Sequence, residues 1–224
     1  FNYSLGIVGL SERACKNLDI PYKIMIISPY SHATYYPGAK MLTIKAIYNS
    51  KTSQILGAYV WGKSSVDKIT DILSVAIQNK MGAADISALE LCYAPPYSSA
   101  KSPVNILGNA IENEMNELVD TIAVEELKNK ENLYILDVRT IEEYNISHIE
   151  GAINIPLDEL RENIEKLDKT REYYIEVDLT NPNNMADENS KKQTAKMSIN
   201  GEVGTTTDNI KVITNKNIIK FVDS

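Results

Sequence analysis

The chain has 224 residues, of which 43% are hydrophobic and 24% charged, a globular composition that excludes a disordered chain. Its 23 basic and 30 acidic residues leave a net charge of -7, and with no Lys/Arg cluster this argues against a nucleic-acid partner. No apolar run approaches the ~20 residues of a membrane span, which points to a soluble chain without a membrane partner. Cys15 and Cys92 form no CxxC pair, and His32 and His148 are the only histidines, so no metal site is expected. This cysteine usage points to a reducing, cytoplasmic compartment. The chain opens on Phe1 without a signal-peptide pattern and reads as part of something longer.

Taken in order, residues 11–18 read as a short helix capped by Ser11. Ile24 to Ile27 reads as a buried strand ended by Ser28-Pro29. Met41 to Tyr48 alternates, Asn49 to Gln54 is turn material, and Ile55 to Trp61 is apolar again, which gives an antiparallel hairpin. Val66, Ile69, Leu73, Ala76 and Ile77 recur at helical spacing. Asp85 to Glu90 makes a second, shorter helix candidate, and Tyr93-Ala94-Pro95-Pro96-Tyr97 reads as irregular. Ser102 to Asn113 resumes a helix with Pro103 in its tolerant first turn. Residues 1–115 thus form one block, with the polar, acidic stretch around 116–120 as linker.

The second block, 121–180, reads strand, helix, strand, helix. Leu133 to Val138 and Ala152 to Pro156 are the strands, and Thr140 caps a short helix with Glu143 at its third position. Leu157 to Leu167 is amphipathic, so the unit is parallel α/β. Residues 181–224 are rich in Asn, Thr, Lys and Ser, with Ile210 to Ile213 and Ile218 to Val222 as arms of a small hairpin or parts of a loose tail. The fold expected is an α+β domain with an antiparallel sheet, then an incomplete α/β domain and an irregular or β-rich tail.

Few residues carry chemistry. Gly6-Ile7-Val8-Gly9 is too short for a phosphate-binding loop. Glu125-Glu126 and Glu142-Glu143 read as solvated helix faces rather than catalytic dyads. Tyr35, in Tyr35-Tyr36-Pro37-Gly38 after His32, and Tyr93, in the proline-rich loop, could each donate a neutral hydrogen bond to a thiolate or phosphate, or simply pack. Asp137 and Arg139, with Ser147-His148-Ile149-Glu150-Gly151-Ala152, could fix a loop by a bidentate pair and are as readily architectural as catalytic. Cys92, approached through Leu89 and Leu91, reads as a buried, inert thiol.

Several spaced motifs then resemble a known family. Val8-Gly9-Leu10-Ser11-Glu12, Tyr35-Tyr36-Pro37-Gly38-Ala39, Ile55-Leu56-Gly57-Ala58, Val66-Asp67-Lys68, the stretch Tyr93 to Lys101 and Pro103-Val104-Asn105 occur in order. Together they resemble the C-terminal dimerisation domain of the coenzyme A-disulfide reductase and NADH oxidase group of flavin-containing pyridine nucleotide-disulfide oxidoreductases. Ile135 to Thr140, Glu142-Glu143-Tyr144, His148 to Pro156 and Leu157 to Leu160 resemble a rhodanese domain, with Asp137, Arg139 and His148 in its structural motif.

The resemblance implies a homodimer whose FAD, NAD(P)H and redox cysteine sit in upstream domains, so that this segment alone binds no cofactor and has no redox activity. It implies that Tyr35 and Tyr93 reach the partner subunit's active site, near the redox thiolate and a coenzyme A-type substrate. It leaves open oxygen, coenzyme A disulfide, persulfide or polysulfide as acceptor, and NADH or NADPH as donor. A working rhodanese carries its nucleophilic cysteine near the position of Val177, yet no cysteine follows Cys92 here, so no sulfurtransferase activity is expected. The rival readings are a non-catalytic dimerisation or binding module with a pseudo-rhodanese domain, and a truncated gene product whose tail is not a selected sequence.

Overall fold

The computed structural model describes residues 2–122, 130, 132–146, 148–168, 170–171, 173–176 and 210–213. Two compact units divide after Met115. In the first, the elements in chain order are β1 (Ser4–Gly9), α1 (Glu12–Asn17), β2 (Tyr22–Ile27), β3 (Leu42–Asn49), β4 (Ile55–Gly62), α2 (Val66–Gln78), α3 (Ala83–Ser87) and α4 (Pro103–Met115). The sheet is antiparallel with order β1-β4-β3-β2.

The β3–β4 hairpin forms where alternation places it, with Ile44 opposite Val60 and Ala46 opposite Ala58. Its inner face and the apolar stripes of α2 and α4 make one core that includes Met25, Ile27, Ile44, Val60, Leu73 and Leu107. Ser11 caps α1 as expected, accepting from the Ala14 N–H at 3.2 Å. Burial pushes the Cys15 thiol up, with the Glu12 charge adding to it.

Strand β1 is the element that sequence reasoning left out. Its glycines drew notice only as a stretch too short for a phosphate-binding loop, whereas Gly6 lies in the sheet where helix α2 crosses it. A Cβ there would stand 2.0 Å from the Thr70 Oγ1. Gly57 of β4 is tighter against main chain, because its Cβ would meet the Leu10 carbonyl oxygen at 2.0 Å. The Leu10 N–H donates to the Leu56 carbonyl at 2.8 Å, holding that segment in place.

Helix α4 runs through Met115, two residues beyond the Asn113 to which the sequence extends it. Glu114 is buried and accepts from the Lys23 Nζ at 2.8 Å. Beside it, burial first and the Glu114 carboxylate second raise the pKa of Tyr48 far above an ordinary phenol.

The second unit contains β5 (Asp120–Ile122), β6 (Ile135–Asp137), α5 (Ile141–Ile146), β7 (Ile153–Asn154), α6 (Leu157–Asn163), a 3-10 turn (Ile164–Lys166), β8 (Tyr173–Glu176) and β9 (Ile210–Ile213). All paired strands of its sheet are parallel, in the order β5-β9-β8-β6-β7. Thus Ile210–Ile213 is an interior strand between β5 and β8, not an arm of a hairpin. The stretches 181–194 and 218–222 lie outside the described residues.

The Thr140 cap forms as read. The Thr140 N–H donates to the Glu143 carboxylate at 3.0 Å, and the Glu143 N–H returns to the Thr140 Oγ1 at 3.3 Å. Glu143 is therefore consumed in capping, while Glu125 and Glu126 lie outside the described residues. No described helix is long and apolar enough to cross a membrane.

Candidate functional site

Two loops of the first unit carry the exposed tyrosines. The loop between β2 and β3 is pinned at its base: the Ser31 N–H donates to the Lys40 carbonyl at 2.8 Å, and the Leu42 N–H to the Pro29 carbonyl at 3.0 Å. Inside it the His32 ring is buried, its Nδ1 3.1 Å from the Ala33 carbonyl, and it meets Tyr36 edge to face. The loop between α3 and α4 turns at Ala94, whose carbonyl accepts from the Tyr97 and Ser98 amides at 2.9 and 3.0 Å. One main-chain bond ties the loops together, from the Ala33 N–H to the Ser98 carbonyl at 3.2 Å.

This scaffold brings together the two tyrosines singled out from the sequence. Tyr35 and Tyr93, 58 positions apart, meet through their hydroxyls at 2.5 Å. They remain 73% and 48% exposed, so the pair is presented outward rather than packed away. Hydrogen bonding to Tyr93 first, then burial and the neighbouring phenol, raise the pKa of Tyr35 above its ordinary value. Tyr35 therefore holds its proton more tightly and can offer a neutral donor to an anion. Tyr97 and Tyr36 are exposed as well, which adds aromatic rings to the rim, where the Lys68 Nζ donates to the Tyr97 carbonyl at 3.4 Å.

Cys92, expected to be buried, is exposed. Helix α3 ends at Ser87, and the chain beyond it is extended. Leu89 and Leu91 point to the core while Glu90 and Cys92 point out.

In the second unit Asp137 ends β6 with no exposure, and its carboxylate is fully engaged. It accepts from the Arg139 N–H at 2.9 Å, from Nε at 3.0 and 3.1 Å, and from Nη2 at 2.5 Å. The Asn154 Nδ2 donates to the Asp137 and Arg139 carbonyls, both at 3.0 Å. Sequence reading gave Asn154 no role, because only the strand pairing of β6 with β7 brings it here. His148 stacks on Tyr144 with ring centroids 3.8 Å apart, and its Nδ1 lies 2.9 Å from the Tyr144 carbonyl. These contacts hold a strand end and a helix together. The segment after β8, where Val177 stands, is outside the described residues. Among the described residues, no three His, Cys, Asp or Glu side chains gather as metal ligands.

Residues 1–103 match the dimerisation domain of pyridine nucleotide-disulphide oxidoreductases, and residues 120–195 match the rhodanese-like domain. The chain carries these two domains in that order. A coenzyme A disulfide reductase of Staphylococcus aureus is 37% identical over 108 residues, covering 48% of this chain and 24% of the relative. The crystal structure of reduced Bacillus anthracis CoADR-RHD superimposes with a TM-score of 0.81 at 34% identity, covering 96% of this chain and 36% of that one. A NAD-dependent persulfide reductase from A. fulgidus gives a TM-score of 0.81 at 28% identity, covering 99% of this chain and 38% of that one. The chain therefore spans about a quarter of the length of the curated relatives it matches. The tyrosine pair belongs to the dimerisation domain, and the Asp137–Arg139 pair to the rhodanese-like domain.

Proposed function

We propose that this chain is the C-terminal portion of a cytoplasmic, homodimeric oxidoreductase that uses FAD and NAD(P)H to reduce a coenzyme A disulfide or persulfide. Its part is to supply the dimer interface and to present Tyr35 and Tyr93 to the partner subunit's active site. The outward-facing hydroxyl pair at 2.5 Å carries this reading. One phenol donates to the other, and the remaining proton is free to point at an anionic sulfur. Such a donor stabilises developing thiolate charge without carrying charge itself. Exposed Leu5, Ile7 and Trp61 on the sheet face away from the helices add an apolar surface suited to a larger assembly.

Bound in upstream domains, FAD and NAD(P)H would supply the electrons. Among the described residues, the glycine-bearing stretch of β1 fits neither group. The single candidate phosphate loop, Gly6 to Gly9, is a sheet strand with Gly6 pressed against Thr70. When this chain is joined to the upstream domains, combining Tyr35→Phe with Tyr93→Phe is expected to lower turnover about 10²–10³-fold with flavin content unchanged. Unchanged turnover would refute the site.

The rhodanese-like domain is read as a non-catalytic surface, because the sequence holds no cysteine after Cys92. Without a thiolate there is no acceptor for a sulfane sulfur. The expected outcome with thiosulfate and cyanide is no thiocyanate above the uncatalysed rate. Turnover that persists in a Cys15→Ser, Cys92→Ser chain would overturn that reading.

A further inference from the structure

Asn105 is buried at 4% exposure in the first turn of α4. Its Oδ1 accepts from the Ser102 N–H at 3.0 Å, and the Ser102 Oγ accepts from the Val104 N–H at 3.1 Å. That half is a helix cap, and an aspartate would perform it equally well. The other half is different. The Nδ2 group faces the carbonyls of Ile86, Ser87 and Leu89 at 3.1, 3.2 and 3.0 Å. These belong to the end of α3 and the start of the loop that carries Tyr93, so its two N–H groups are shared among three acceptors. A carboxamide accepts from Ser102 and donates to that cluster at once, which a carboxylate cannot do.

One side chain therefore fastens both ends of the tyrosine loop. Helix α4 is held close to α3 at the same place, since a Cβ on Gly108 would stand 2.6 Å from the Ser87 nitrogen. Farther along, the bond from Ala33 to Ser98 fixes the loop to its neighbour, and Ser98 is itself buried. Tyr93 hangs between these two anchors. Its hydroxyl reaches Tyr35 only if the segment from Leu89 leaves α3 in one direction.

We propose that Asn105 is a positioning residue that sets the Tyr35–Tyr93 hydroxyl contact through its donors to the α3 end, beyond its part in capping α4. This rests on the reading that the two tyrosines act as a pair.

The test is ring-carbon NMR titration of Tyr35 in the full chain, compared with Tyr93→Phe and Asn105→Asp. The unaltered chain is expected to titrate above the Tyr93→Phe chain, because the hydrogen bond to Tyr93 favours the protonated form. Asn105→Asp keeps the acceptor for Ser102 and removes the donors, so Tyr35 is expected to shift down to the Tyr93→Phe position. A folded Asn105→Asp chain with the elevated Tyr35 value intact overturns the proposal. If Tyr35 titrates alike in the unaltered and Tyr93→Phe chains, the pair itself is absent, and the reading of the site falls with it. Should the aspartate prevent folding, Asn105→Ser is read by the same two outcomes. In the unaltered chain the Asn105 carboxamide protons are expected to exchange slowly with solvent, and exchange at the rate of a free amide also overturns the proposal.

Discussion

Asp137→Ala is expected to destabilise the second unit by about 3–5 kcal/mol, the cost of removing one partner of a buried ion pair. The Asp137 side chain has no solvent exposure and the Arg139 side chain only 16%. The carboxylate accepts from the main chain and from two guanidinium nitrogens of a residue only two positions away. Its removal takes the Asp137 carboxylate from the guanidinium and from the Arg139 N–H at the end of β6, the strand between β7 and β8. Asp137→Asn keeps the volume and loses the charge, and is expected to fall between the alanine variant and the parent. The single tryptophan, Trp61, lies in the first unit, so its fluorescence does not read this loss directly. Amide exchange over Ile135–Asp137 and Tyr173–Glu176 does, and protection equal to the parent's would refute the expectation.

The second large effect is expected from Gly57→Ala. Overpacking a sheet interior costs roughly 1–3 kcal/mol and occasionally more. This position belongs at the upper end, because the added carbon meets a main-chain carbonyl at 2.0 Å and a main-chain nitrogen at 2.8 Å. A flexible side chain could move aside, whereas Leu10 is held by its own bond to Leu56. For a unit of about 100 residues, such a loss lowers Tm by roughly 10–20 °C. Trp61 stands in the same strand and reads this melt directly. A fall of less than about 2 °C would mean that β1 and its connection to α1 yield more easily than the main-chain contacts imply.

These two sites differ in how far the sequence announced them. Asp137-Val138-Arg139 at the end of an apolar run pointed to a bidentate pair, and the pair formed. The hairpin from Leu42 to Gly62 was equally legible, since alternation and a polar turn fix both the strands and their register. Gly57 and Gly6 were silent for a physical reason: a close approach between distant backbones leaves no local pattern. The same is true of the Asn105 Nδ2 group, whose acceptors are 16 to 19 positions away. Cys92 was misread because a leucine on each side of Glu90 suggested burial, while an extended chain sends alternate residues outward. The resemblance implied one shared destination for Tyr35 and Tyr93 but not that their hydroxyls meet, and no periodicity in either loop encodes that contact. Asn154 became meaningful only once β7 lay beside β6.

The placement of β9 bears on the order in which the chain is made. The antiparallel sheet is complete at Gly62 and its covering helices by Met115, so the first unit can close while the rest is still being synthesised. The parallel sheet has no such freedom. Its interior strand comes from Ile210–Ile213, and β5, first to emerge, waits for it as neighbour. Until those last residues leave the ribosome, the edge of β8 that β9 will cover is open to other strands. High sequence separation makes that closure slow. Premature termination before Ile210 would therefore release a finished first unit joined to an unsealed sheet, a substrate for chaperones and proteases.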